Sequence, residues 1–190
     1  LRQYQESSMA GAMSAIEIAS KVKEHYREEE IVNRVRKVLT DAEYYGVSHI
    51  RAFADVDTKA RLTGVSALVK IKEEFKDRIE IQIVAFPQDG IIREPGADEL
   101  LYKSMELGAD VVGGIPWIEY TDEDSKRHVD IAFELAGVGP RLFVDLQFDL
   151  KRRGVLPLGA GAARQSGRWC AVDAVGPTVL QIGLDMAWDA

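Results

Sequence analysis

The sequence predicts an α/β fold built on a parallel sheet. Four apolar runs, near residues 48–54, 79–86, 109–115 and 141–148, recur about every 30 residues with helix-period segments between them, the rhythm of consecutive βαβ units. The runs are almost continuously apolar, as strands become when helices cover them. No internal sequence repeat accompanies the rhythm.

Residues 13–26 place Ile16, Ala19 and Val22–Lys23 at helical spacing. Residues 28–46 form a clearer helix. Ile31, Val35, Val38, Leu39 and Ala42 make one apolar stripe, acids open it in accord with the helix dipole, and Gly46 can close it as a C-cap. A short strand follows over 48–55. Residues 60–78 read as a helix with Leu62, Val65, Leu68, Val69 and Phe75 inward, leading into the strand at 79–86. Residues 97–108 are a helix closed by Gly108, and 109–116 the third strand. Residues 121–137 are a helix with Thr121 as cap and acids in its first turn. Residues 141–148 complete the fourth strand. One further, damaged unit is expected near 168–175.

Two architectures fit this order: a doubly wound sheet, or a piece of a (β/α)8 barrel. A full barrel typically takes ~250 residues, and this chain has 190. Half a barrel would expose two strand edges and an inner face, both hazards for aggregation.

Composition narrows the function. A net charge of −7 and a pI near 5.1 argue against nucleic acid as the main partner. The single cysteine, Cys170, excludes an intrachain disulfide framework and fits a cytoplasmic protein. No apolar run approaches the roughly 18 residues that would span a bilayer, and the start is too polar for a signal peptide. The chain begins at Leu1 and not at Met, and so reads as cut at its front. Its charge is uneven. Residues 151–190 carry Lys151, Arg152, Arg153, Arg164 and Arg168 against Asp173, Asp185 and Asp189, a net +2, which leaves −9 for residues 1–150. Composition therefore places a boundary near residue 150.

In both architectures ligands sit at the carboxyl ends of the strands. The candidates there are Arg51, Asp55 and Asp57 after the first strand, and Gln88 and Asp89 after the second. Pro116, Trp117 and Glu119 follow the third, and Asp145, Gln147 and Asp149 lie on or after the fourth. The bland reading makes Asp55, Asp57, Asp89 and Glu119 caps or turn acids, Asp145 the pair of a basic neighbour, and Trp117 packing. His25 and His128 read as solvated helix residues and His49 as structural. The sequence has no HxH, HExxH, CxxC, GxSxG, P-loop or GxGxxG pattern, and the Gly-rich stretch at 159–167 reads as loop. Spacing alone leaves an α/β domain without assigned chemistry.

The stretches HIRAFADVDTKARLTGVSALVKIKEEFKDRIEIQIVAFPQDGII (49–92), GADELLYKSMELGADVVGGIPWIE (96–119) and HVDIAFELA (128–136) resemble bacterial cytosine deaminases and their amidohydrolase-superfamily relatives. The resemblance runs from about residue 5 to 149. It implies a partial (β/α)8 TIM barrel over residues 1–150, with 151–190 a poorly specified remnant of the barrel's C-terminal part. It also implies a hydrolase that attacks a cyclic C–N bond with a metal-activated hydroxide. Gln88 matches a glutamine that hydrogen-bonds a pyrimidine-like ring, a task suited to an amide that both donates and accepts. Trp117 and Asp149 are the other substrate-binding positions implied.

The same comparison implies missing parts. Phe53 and Gln147 stand where the family carries histidines, and Leu150 stands at the catalytic acid/base glutamate. KRRG (151–154) resembles a motif found much further along the family's chain. CAVDAVGP (170–177) would put Asp173 at the last metal aspartate, and 178–190 in the helix after it. The family uses zinc or iron. With Asp173 alone left of its ligands, this chain by itself is expected to hold no catalytic ion, since such sites take three or more protein ligands. The expectation is a front-truncated, internally deleted relative with a pyrimidine-like small molecule as partner and little activity of its own. The alternative is a non-catalytic binding or assembly module, self-associating through open strand edges, or a gene fragment without activity of its own.

Overall fold

The computed structural model describes residues 18, 20–138, 144–146 and 180–183. Its regular elements are α1 (Glu28–Tyr44), β1 (His49–Asp55), α2 (Thr63–Phe75), β2 (Glu80–Phe86), α3 (Ala97–Leu107), β3 (Val111–Gly114), a 3-10 turn (Pro116–Ile118), α4 (Asp122–Val138), β4 (Val144–Leu146) and β5 (Leu180–Gly183).

The five strands are parallel and lie in the order β4-β3-β2-β1-β5. From β1 to β4 each βα unit steps one strand further in the same direction. Right-handed crossovers that never reverse put every helix on one face of the sheet. That is the winding of a (β/α) barrel and not of a doubly wound sheet. The buried residues divide accordingly. Ile50, Ala52 and Ala54 of β1 and Ile81, Ile83 and Ala85 of β2 pack with Ile31, Val35 and Leu39 of α1 and with Val65, Leu68, Ile71 and Phe75 of α2. The alternate positions Phe53, Val84, Phe86 and Val111 form a second cluster with Ile115 and Ile118. Each fully buried aliphatic or aromatic side chain in these clusters contributes roughly 1.5–3 kcal/mol.

The register arranges the inner face in rows: His49 beside Glu80, Arg51 beside Gln82, Phe53 beside Val84, and Asp55 beside Phe86. The Arg51 Nε donates to Gln82 Oε1 at 2.6 Å, so Arg51 belongs to the wall below the strand ends and not to the rim predicted for it. Phe86 meets Phe53 edge-to-face at 5.5 Å. It also lies over Gly113, where an added Cβ would stand 2.6 Å from the Phe86 ring. Glycine at this strand position is required by that close approach.

Several boundaries differ from the sequence reading. The first predicted helix stops at residue 23 and the chain turns through 24–25, so His25 is an exposed turn residue. Within it Val22 is exposed and Lys23 is buried, because Lys23 finds charged partners below. Val38 is also exposed, so the α1 stripe is narrower than its apolar residues suggest. α2 starts at Thr63 and not near 60. Asp57 Oδ1 accepts from the N–H groups of Lys59 and Ala60, and Arg61 takes φ +52°, so the chain there is a turn. Thr121 caps α4 as expected, its Oγ1 accepting from Asp124 N–H at 3.1 Å. Residues 180–183, expected in a helix, instead form β5 beside β1. The open edge of β1 offers unpaired backbone groups that a strand satisfies and a helix does not.

Candidate active site

β2 ends at Phe86, and the chain leaves the sheet through Pro87, Gln88, Asp89 and Gly90. The turn is closed locally: Gln88 N–H donates to Phe86 O at 3.0 Å and Gly90 N–H to Pro87 O at 2.9 Å. Pro87 and Asp89 are buried, while Gln88 is half-buried at the carboxyl end of the strand. Among the described residues its side-chain amide has no hydrogen-bond partner. An amide so placed has both its donor and its acceptor available to a ligand.

The loop that carries Gln88 is held from two sides. On one side Glu119, just past the 3-10 turn, accepts three backbone N–H groups in a row. Ile91 and Ile92 donate to its Oε1 at 2.7 and 3.1 Å, and Arg93 to its Oε2 at 2.7 Å. The buried His128 of α4 supports it. Ile115 N–H donates to His128 Nε2 at 3.1 Å, so the imidazole proton sits on Nδ1 and is donated to Glu119 Oε1 at 2.7 Å. Burial works to raise the Glu119 pKa, but the bonds from His128, Ile92, Ile91 and Arg93 outweigh it and hold it below the usual range. Gly90 has φ +97°, and an added Cβ would stand 3.0 Å from Glu119 Oε1, so only glycine fits beneath the clamp.

On the other side lies a buried ion cluster. The ammonium of Lys23 is 2.8 Å from Asp57 Oδ2, 2.9 Å from Asp55 Oδ2 and 3.5 Å from Asp89 Oδ2. The side chains of Lys23 and Asp57 are fully buried. Burial disfavours the charged lysine, yet the three carboxylates prevail and its pKa lies above the ordinary value. Burial pushes the Asp89 carboxyl up, against the pull of Lys23.

The predicted rim is thus only partly assembled. Asp55, Asp57 and Asp89 converge as one group, but on a lysine. Glu119 is a loop clamp and not merely a turn acid. Trp117 packs, partly buried, against the inner-face cluster of Phe53 and Phe86, beside the strand exits. His49 is exposed beside Glu80, its Nε2 at 3.2 Å from the carboxylate. Asp149, Asp173, Gln147 and Leu150 lie outside the described residues, as does the side chain of Asp145. The reading of His128 as solvated is overturned. Ser125, His128, Ala132 and Ala136 form the buried stripe of α4, a spacing of 3, 4 and 4 that the sequence already contained. Lys23 was missed because a lysine in an amphipathic stripe normally reaches for solvent.

A catalytic divalent ion needs several converging ligands. Among the described residues no group of three or more His, Cys, Asp or Glu could hold one, and the carboxylates that do converge already enclose an ammonium. The described residues do not fit such an ion. Among them, too, no helix is long and apolar enough to cross a membrane.

No family model matches the chain. It is 31% identical over 176 residues to N-isopropylammelide isopropyl amidohydrolase of Pseudomonas sp. (strain ADP), covering 85% of this chain and 42% of that protein. Among solved structures it is similar to 5-methylcytosine deaminase from Klebsiella pneumoniae liganded with phosphonocytosine. That match has a TM-score of 0.66 and 36% identity, over 70% of this chain and 32% of that one. The form liganded with 5-fluorocytosine matches at 37% identity and the same TM-score, over 72% and 33%. N-isopropylammelide isopropylaminohydrolase from Burkholderia multivorans matches at 37% identity with a TM-score of 0.50, over 55% and 26%. The chain spans less than half the length of each of these relatives.

Proposed function

We propose, for a chain that belongs to the cytosine deaminase-like amidohydrolases, that it binds a pyrimidine-like or related cyclic C–N ring through the side-chain amide of Gln88. The observation that carries this reading is the place of Gln88. It stands half-buried at the carboxyl end of β2, on a loop held by Glu119 on one side and Lys23 on the other. A loop fixed before binding loses little entropy when a ligand arrives. Trp117 supplies an aromatic surface beside the strand exits, and Asp149 is proposed as a further polar contact.

Hydrolysis is a separate matter. The relatives are named as an amidohydrolase and deaminases, and the family's zinc or iron would need ligands that the described residues do not supply. Asp173 is the remaining candidate. We therefore infer ring binding without turnover by this chain alone. Residues 1–150 would supply the binding half and 151–190 the barrel's remnant. The acidic charge and lone Cys170 support a cytoplasmic setting and a small molecule, not nucleic acid, as partner.

Titration of isotope-labelled protein with cytosine tests this. The Gln88 side-chain amide signals should shift, and Gln88→Leu should weaken binding at least tenfold. Unperturbed Gln88 signals with cytosine, 5-fluorocytosine and ammelide alike would refute ring binding. Ammonia release from cytosine in the presence of added zinc or iron would refute the absence of turnover.

One observation favours a second reading. β4 and β5 are the end strands of the sheet among the described residues, and a module of this kind can assemble with another chain through such edges. Sedimentation across a concentration series distinguishes the two: an invariant monomer excludes assembly.

A further inference from the structure

We propose that Lys23 is a positioning residue whose buried ammonium seats the Gln88 loop against the exit of β1. The proposal rests on the reading of Gln88 as the ring-binding residue.

Lys23 comes from the segment before α1, outside the βα units that build the sheet, so the sheet itself does not require it. Its Nζ gathers carboxylates from three places: Asp55 at the end of β1, Asp57 in the following turn, and Asp89 next to Gln88. Asp57 is committed twice over, since its other oxygen closes the turn at Lys59 and Ala60. The ammonium therefore rests on a fixed base formed by β1 and its turn, and extends from there to Asp89. An apolar side chain of similar length would fill the space without desolvating a charge, and buried ion pairs are often no more stabilising than such a replacement. What an apolar residue cannot do is hold three like charges together. Without the Lys23 cation, Asp89 would face Asp55 and Asp57 with only the charge of Lys59 to offset them and would move away, taking Gln88 with it. Glu119 restrains only the far side of the loop, from Ile91 to Arg93. On the near side the backbone bonds from Gln88 N–H to Phe86 O and from Gly90 N–H to Pro87 O fix the turn's shape, and Lys23 ties it to the exit of β1 through Asp89.

The test uses the full-length chain without ligand, so that positioning is decided independently of ring binding. In Lys23→Met the Gln88 side-chain amide and the backbone amides of residues 88–90 should shift. Hydrogen exchange at those amides should quicken at least tenfold, while the amides of β3 and α4 keep their wild-type values. Asp89→Ala removes the same tie but leaves Lys23 paired with Asp55 and Asp57. It should loosen residues 88–90 in the same way, and it carries the test if Lys23→Met does not fold. Wild-type Gln88 signals and exchange in Asp89→Ala, or in a folded Lys23→Met, overturn the proposal. A cytosine titration of the same samples then reads the other question. A loop that loosens as expected in a protein whose wild type ignores cytosine would refute ring binding and leave the positioning intact.

Discussion

Replacing Glu119 by glutamine probes the clamp with the smallest change of shape. In the wild type, Oε1 accepts from Ile91 N–H, Ile92 N–H and His128 Nδ1–H, and Oε2 accepts from Arg93 N–H. A glutamine oxygen can keep the first three, but its NH2 group then faces the Arg93 N–H, donor against donor. One hydrogen bond to a charged acceptor, worth about 1.5–3 kcal/mol, is lost, and the other three weaken as their acceptor becomes neutral. Relief of the desolvation of a buried carboxylate offsets part of this. The expected net loss is about 2–4 kcal/mol, a large share of a typical stability of about 5–15 kcal/mol. Urea unfolding measures the loss, and hydrogen exchange at Ile91, Ile92 and Arg93 localises it. The sign with pH follows. The folded-state pKa of Glu119 lies below its unfolded value, so its contribution is complete above about pH 4.3 and fades as pH falls through the folded pKa. The glutamine variant should lack that acid limb. A change below about 0.5 kcal/mol with wild-type exchange at 91–93 would refute the clamp.

Gly113→Ala should destabilise by roughly 1–3 kcal/mol, because its Cβ would meet the Phe86 ring at 2.6 Å and Ala85 O at 2.9 Å; thermal unfolding reads this directly. Within the ion cluster the carboxylates should differ in reach. Asp57→Ala removes the 2.8 Å bond to Lys23 and the turn's acceptor, a loss of about 3–5 kcal/mol, whereas Asp89→Ala removes only the 3.5 Å contact and loosens the loop locally, so global stability at neutral pH should fall by less than about 1 kcal/mol. Burial raises the Asp89 pKa in the folded state, so its unfavourable contribution is full above that pKa and is relieved as pH falls toward about 3.9. Relative to Asp89→Ala, the wild type should therefore gain stability on acidification, measured as the difference between two urea-unfolding series.

Much of this molecule follows from local rules. Ile31, Val35, Leu39 and Ala42 recur at helical spacing and are buried along α1, and the apolar runs at 49–55 and 80–86 are adjacent parallel strands. Local chemistry also dictates the Thr121 cap and the glycines at 96 and 108, which take φ +95° and +121°. Gln88 stands at the exit of β2, as its place after an apolar run predicts, and the family resemblance of the chain is supported by relatives 31–37% identical.

What spacing leaves open is which strands are neighbours, and therefore whether a charged side chain meets a partner or solvent. The strand order decided for a barrel over a doubly wound sheet, because direction of winding is a property of non-local pairing. The same pairing set Asp89 beside Lys23, 66 positions apart, and Ile91 beside Glu119, 28 apart. A buried lysine among three aspartates and a histidine inside a helix stripe look like solvated residues in a linear chain. Desolvating them is unfavourable until a partner arrives, and only the folded chain brings the partner.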